Sequence, residues 1–307
     1  MKFRERCLVL AVGVVSLLVV AVGCAGGQNA LKESGGGSGG GFVVGSANFP
    51  EQLILGNMYA DLVEDQGIKV ERRLNLGTRD VVFPSLENGE ITLVPEYNGA
   101  LLSYLTKGKS DVTSPEETTK QLREALPEGL IALKASEAQD KDALVVTPET
   151  AEKYDLKNTS DLAPVADELV VGGPPEMSER PDGLPGLKRV YGIEFKEFKA
   201  LDAGGPLTIE ALANGDIDVG RLFTSQGIID ARGWIVLEDD KELSPAQNII
   251  PIIRKQDSRR KIEEALNKLS ATLTTEDLKK LNRRVEVDKD DPEDVAKDYL
   301  KQKGLLG

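Results

Sequence analysis

Carboxylates are the side chains with which this sequence could do chemistry: 51 Asp and Glu stand against 38 Lys and Arg, and histidine is absent. The missing histidine removes the commonest general base and metal ligand, and it excludes His-dependent serine and cysteine hydrolases. Asp216 and Asp218 could suggest a glycosidase, which needs two carboxylates across a sugar. They occupy alternate positions of one predicted strand, so catalysis would need another partner, and none stands out. We therefore expect a binding protein rather than an enzyme, with no cofactor and no metal.

The charge balance narrows the possible partners. The formal net charge is −13, whereas phosphate binding needs Lys and Arg clustered on one face. We therefore expect no nucleic-acid partner. We also expect no disulfide, because both cysteines, Cys7 and Cys24, lie within the first 24 residues.

The N-terminal segment has the pattern of a secretory signal peptide. A basic start is followed by an apolar run over residues 7–22 and then by small residues before Cys24. This cysteine resembles the modified residue of a bacterial lipobox, although Ala21 stands where leucine is usual. The sequence thus predicts a signal peptide at 1–23 and a lipidated Cys24 with a flexible Gly/Ser tether at 24–41. The predicted location is the outer face of the cytoplasmic membrane, and an uncleaved anchor helix is the alternative.

From Phe42 onward, short β-rich runs alternate with helical patterns, which predicts βαβ units on a mostly parallel sheet. One pattern occurs twice: a helix stops at Asn-Gly and a strand follows that ends at an aromatic residue, Tyr97 or Phe223. Ligands of open α/β sheets bind outside the carboxyl ends of strands. Two similar lobes would therefore direct Tyr97 and Phe223 into one cleft, although Asn-Gly helix ends are common in any fold.

Four segments resemble the binding proteins of ABC importers for glycine betaine, carnitine and choline. They occur in the family's order and together span residue 42 to the C-terminus: Val44–Gln52, Val94–Gly99, Arg180–Leu187 with Tyr191-Gly192, and Val236–Asp240 ahead of Pro251. The resemblance implies an α/β, two-lobed type II periplasmic-binding-protein fold that closes on its ligand. We predict lobe one at 42–137 plus 226–307 and lobe two at 138–225, with hinges near Ala138 and Gln226.

The resemblance also implies candidate ligand-binding residues. Tyr97 matches a tyrosine of the family's aromatic cage, and Phe223 lies where another is common. Asp140 matches a family acid, whereas Asp142 replaces the next ring of the cage. Both aspartates favour a cationic or hydroxylated ligand, unless they form a solvated hinge turn.

Three further candidates are polar. Arg180 matches the family arginine that grips the ligand carboxylate, and a surface salt bridge is its alternative. Asn48 and Thr208 lie near predicted helix starts, where they either cap the helix or help to bind an anionic group.

The implied partners are a small organic solute of the osmoprotectant or quaternary-amine type, an ABC permease with its ATPase, and the membrane through the lipid; we expect a monomer. Because most of the aromatic cage is missing, a different polar or aromatic ligand is one alternative. A sensing or interaction lipoprotein without transport is another.

Overall fold

The computed structural model describes residues 41–110 and 112–306. The predicted signal peptide, Cys24 and almost the whole tether lie outside these residues. Within them, no helix is both long enough and apolar enough to span a membrane.

Ten strands and eleven α-helices follow one another along the described chain. The strands are β1 (Phe42–Gly45), β2 (Val70–Arg73), β3 (Leu93–Tyr97), β4 (Leu130–Ala132), β5 (Asp142–Val146), β6 (Val170–Gly173), β7 (Glu197–Ala200), β8 (Val219–Phe223), β9 (Ile235–Val236) and β10 (Ile249–Arg254). The helices are α1 (Pro50–Asp65), α2 (Arg79–Glu87), α3 (Asn98–Thr106), α4 (Pro115–Ala125), α5 (Pro148–Tyr154), α6 (Leu184–Gly186), α7 (Pro206–Asn214), α8 (Gly227–Arg232), α9 (Arg260–Ser270), α10 (Thr275–Glu286) and α11 (Pro292–Gln302).

The strands form two five-stranded sheets, in the orders β2-β1-β3-β10-β4 and β7-β6-β8-β5-β9. In the first sheet β1 pairs in parallel with β2 and β3, and β10 pairs antiparallel with β3 and β4. In the second sheet β6 pairs in parallel with β7 and β8, and β5 pairs antiparallel with β8 and β9. Each sheet is therefore mixed, whereas the sequence predicted mostly parallel sheets.

One reversed strand in each sheet explains this difference. β5 and β10 are the strands that follow a passage from one sheet to the other: 133–141 leads from β4 to β5, and 237–248 leads from β9 to β10. Both passages arrive at the edge where the neighbouring strands end, so the next strand must run the opposite way. Because each reversed strand lies inside its sheet, it makes two antiparallel pairings.

The predicted end of lobe two differs from the position at which the chain leaves the second sheet. The predicted division places β9 in lobe one, but β9 is paired with β5 of the second sheet. Helix α8 lies between the lobes: Ile229 packs in a core cluster of the second sheet, while a Cβ on Gly227 would stand 2.2 Å from the backbone of Arg283 in α10. We propose that lobe two extends to β9 and that the chain returns to lobe one through 237–248.

Most side chains of helix α1 are buried. Pro50 begins it, as suits a first helical position where no N–H partner is needed. Its side chains Ile54, Leu55 and Met58 are fully buried in a core shared with α9, α10 and α11. This packing fixes Glu51, in the first turn, inside the protein.

Candidate functional site

A buried tyrosine ends β3 in the first lobe. Tyr97 is 7% exposed, its hydroxyl donates to Glu51 Oε1 at 2.6 Å, and its ring stacks against Phe49 with centroids 6.3 Å apart. Phe49 is 38% exposed. The pair therefore combines one ring that the protein holds in place with one that solvent can reach.

These rings line a cavity of about 170 Å³ at the carboxyl ends of β1 and β3, which we call the lobe-one cavity. An ion pair lies beside them: Arg79 Nε and Nη2 donate to the two carboxylate oxygens of Glu96, each at 2.8 Å. The Glu96 side chain is 6% exposed and that of Arg79 25%. The other lining residues are Ala47, Asn48, Gln52, Thr78 and Val82.

A second cavity, of about 340 Å³, lies in lobe two and is named here the lobe-two cavity. The guanidinium of Arg221, on β8, is buried between Asp142 at 2.8 Å and Asp182 at 3.4 Å. Burial lowers the pKa of Arg221, and the two carboxylates more than offset this, so the pKa is raised and the group is a permanent cation. The other charged lining residues are Lys141, Glu238, Asp239 and Glu242.

The loop that borders the lobe-two cavity is organised by Asp239. Its Oδ1 accepts from the Tyr191 hydroxyl at 2.5 Å and from Leu243 N at 2.9 Å, and its Oδ2 accepts from Ser244 N at 2.7 Å. Tyr191 ends a π-helical segment, Leu187–Tyr191, that continues α6. Tyr191, from the Tyr191-Gly192 motif of the sequence, thus helps to position this loop.

The structure places the seven predicted ligand residues in different surroundings. Asn48 and Tyr97 line the lobe-one cavity, and Asp142 lines the lobe-two cavity. Phe223 pairs with Asp142 across β8 and β5 and packs beside Gly204, close to the lobe-two cavity but outside its lining. Asp140 is buried between the lobes and lines neither cavity.

Thr208 and Arg180 lie outside both cavities. Thr208 is fully buried, and its N–H and hydroxyl both bond to Asp202. Burial alone would raise the pKa of Asp202, but the N–H groups of Leu207 and Thr208 outweigh it and lower the pKa. The start of α7 is thus already capped by a carboxylate. Arg180 is exposed.

Sequence reasoning missed Phe49, Arg79, Glu96, Asp182 and Arg221. Phe49 and Glu96 lie inside segments that carried the family resemblance, so proximity to Tyr97 was a usable signal. Arg221 had its own signal, since a charged residue inside an otherwise apolar strand is seldom buried without partners. Asp182 also lies inside a segment that carried the resemblance, Arg180–Leu187, two residues from the candidate Arg180. Arg79 gave no comparable signal, because it lies in a polar stretch.

The comparisons with known proteins agree with this architecture. Residues 42–302 match the family described as the substrate-binding domain of ABC-type glycine betaine transport systems. A glycine-betaine-binding protein of Pseudomonas aeruginosa is 31% identical over 278 residues, 86% of this chain and 88% of that protein. An ergothioneine transport permease/ergothioneine binding protein of Helicobacter pylori is 29% identical over 285 residues, 91% of this chain and 49% of that protein.

A solved structure supports the same assignment. The crystal structure of a glycine betaine/carnitine/choline ABC transporter protein has a TM-score of 0.77 at 25% identity, covering 87% of this chain and all of that one. The predicted fold class and the prediction of solute binding rather than catalysis are thereby confirmed. The chain belongs to the family of substrate-binding domains of ABC-type glycine betaine transport systems.

Proposed function

We propose that this chain, anchored by a lipid on Cys24 at the outer face of the cytoplasmic membrane, captures a small organic solute between its lobes and delivers it to an ABC permease with its ATPase. The observation that carries the proposal is the pair of cavities. Each lies where strands of one sheet end, and short passages of chain connect the two sheets. Ligands of open α/β sheets bind at such edges.

The lobe-one cavity suits a cationic head of the quaternary-amine type. The face of an aromatic ring attracts a cation, and each such contact contributes about 0.5 to 2 kcal/mol when water is excluded. Phe49 offers an accessible ring, and the ring of Tyr97 stacks against it in the lining of the same cavity. The carboxylate of Glu96 lines the same cavity but is already paired with Arg79.

The lobe-two cavity suits a polar end of the solute. Among the residues that the structure describes, no aromatic side chain lines it, and Arg221 is held between two carboxylates. This differs from an aromatic cage that closes on a methylated amine from all sides. The similarity to an ergothioneine-binding protein supports testing ligands larger than glycine betaine.

Calorimetry on the full-length chain in detergent tests which solute binds and how tightly. We expect glycine betaine to bind weakly or not at all, because two rings supply at most a few kcal/mol against the cost of dehydrating the cation and closing the lobes. Carnitine, choline and ergothioneine are the comparison ligands. If glycine betaine binds with a micromolar or tighter constant, the cavity assignment is wrong and other aromatics reach the ligand.

The anchor has a test of its own. Because the lipid would be the only hold on the membrane, Cys24→Ser should release the protein from the membrane fraction, while Cys7→Ser should not. An unprocessed Cys24→Ser chain that stays in the membrane would instead indicate an uncleaved anchor helix.

A further inference from the structure

Each cavity is lined by an arginine, and the two guanidinium groups are used differently. In lobe two, Arg221 donates from Nε to Asp142 Oδ1 at 3.1 Å, from Nη1 to Asp182 O at 3.1 Å and from Nη2 to Asp182 Oδ2 at 3.4 Å. In lobe one, Arg79 donates to Glu96 from Nε and Nη2. No group in the described part of the chain accepts from Arg79 Nη1. Every nitrogen of Arg221 thus has a protein acceptor, whereas Arg79 keeps one without.

The pairing with Glu96 leaves a complete donor fork on Arg79. A guanidinium has five N–H groups in one plane, and this pair uses the one on Nε and one of the two on Nη2. The remaining edge, formed by Nη1 and the second N–H of Nη2, has the geometry that suits the two oxygens of a carboxylate. The Arg79 side chain is 25% exposed and that of Glu96 6%, so Arg79 is the member of the pair that a solute can reach.

The protein holds Arg79 in place without a ligand. Arg79 is the first residue of α2, and Glu96 lies on β3, a strand whose residues are all buried. Glu96 Oε2 also accepts from Tyr97 N at 3.1 Å, which fixes the carboxylate behind the guanidinium. The turn before α2 is tied to the loop after β1, because Asn48 N donates to Gly77 O at 3.1 Å. A donor that is already positioned loses little side-chain entropy when it binds.

The charges that line the lobe-one cavity cancel. Arg79 and Glu96 are the charged residues among the described ones that line it. A solute with only a positive charge would leave the open edge of the guanidinium without an acceptor. A zwitterion would bring an anion to Arg79 as well as a cation to the rings of Phe49 and Tyr97. Since the rings and the guanidinium line one cavity of about 170 Å³, the two charged groups must lie close together in the solute.

We propose that Arg79 is a specificity-determining residue that binds the carboxylate of the solute through Nη1 and Nη2, beside the aromatic contact with a methylated ammonium, and that Glu96 is its positioning residue. The solute class is a zwitterion whose ammonium and carboxylate groups are a few bonds apart, and the lobe-two cavity holds the rest of a longer molecule. This inference rests on the proposed function, because it concerns the solute held between the same lobes.

Calorimetry of the full-length chain in detergent, at physiological salt, tests the carboxylate with matched solutes. The probes are carnitine and ergothioneine, each compared with its methyl ester, which keeps the ammonium group and removes the negative charge. We expect at least one acid to bind about tenfold or more tightly than its ester, as a charge-assisted bidentate pair would require. The proposal is overturned if neither acid binds, or if every acid that binds is matched by its ester.

Variants of the ion pair test whether the preference belongs to Arg79. Arg79→Lys keeps a cation beside Glu96 but loses the planar fork. It should weaken binding of the acid by about tenfold and binding of the ester by less than about threefold. The double variant Arg79→Gln with Glu96→Gln removes both charges together and should give the same pattern, so that an unpaired Glu96 cannot be its cause. Arg180→Lys is the matched control and should change neither constant.

The outcomes distinguish this inference from the proposed function. If Arg79→Lys leaves the affinity of the acid unchanged, or if choline binds and neither acid does, solute capture stands and the role of Arg79 is wrong. A preference for the acid that is lost in Arg180→Lys and kept in Arg79→Lys would overturn the proposal by assigning the carboxylate to Arg180. Absence of binding by the acids, the esters and choline alike would count against both.

Discussion

The two cavities are built from different chemistry. In lobe one, two stacked rings stand beside an ion pair and rest on the deeply buried helix α1. In lobe two, no ring from the described part of the chain lines the cavity, and a buried arginine is held by two carboxylates. The difference suggests that the lobes recognise different ends of a solute: one end by contact with ring faces, the other by hydrogen bonds and charge.

The largest effect should come from breaking the lobe-two ion pairs. Arg221→Ala would leave Asp142 and Asp182 facing each other without their cation, and removing one partner of a buried pair costs about 3 to 5 kcal/mol. We expect the lower end of that range, because the Asp142 and Asp182 side chains are 17% and 25% exposed. Urea unfolding measures the loss. Arg79→Ala is the matched control in lobe one, where a single carboxylate, Glu96, loses its cation; an equal loss in both variants would remove this difference between the lobes.

A smaller effect on binding should follow from removing a ring. Phe49→Leu keeps an apolar side chain but loses the ring face. Tyr97→Ala removes the second ring and should also lower stability, because Tyr97 is buried and bonded to Glu51. For the solute that calorimetry identifies, each substitution should weaken binding by about tenfold or more. A tenfold loss of affinity is equivalent to about 1.4 kcal/mol. Phe223→Leu is the control in lobe two and should have less effect. The distinction between the lobes fails if Phe223→Leu weakens binding more than Phe49→Leu.

The smallest effect is expected at Arg180. The family resemblance makes it a carboxylate ligand, but its side chain is exposed and lines neither cavity. We expect Arg180→Ala to change affinity by less than threefold, whereas an arginine that pairs with a carboxylate should contribute more than tenfold. Calorimetry of Arg180→Ala decides between these values. A tenfold loss would mean that closure of the lobes brings Arg180 to the solute.

The elements of the fold could be predicted where local pattern decides. The strand that ends at Tyr97 lies where the sequence placed it, because an apolar run is a local signal. The direction of β5 and β10 could not be predicted in this way. A strand's direction depends on which edge of a sheet the chain reaches, and that is a tertiary property.

The site was predictable only in part for the same reason. Tyr97 followed from its position at a strand end. The partners of Thr208 did not, because Asp202, six residues earlier, occupies the N–H groups at the start of α7 that an anionic ligand would need. Nor could the sequence show that Asp140 and Glu51, 89 positions apart, bond to one serine, Asp140 to the backbone N–H of Ser225 and Glu51 to its hydroxyl.

Trp234 gives the chain a natural optical probe. It is the sole tryptophan, is 8% exposed, and lies between α8 and β9 with the Arg232 guanidinium 5.7 Å from its ring. Light that excites tryptophan selectively therefore reports from one place, next to the helix that lies between the lobes. A shift in emission during closure could be assigned to that region of lobe two without a label.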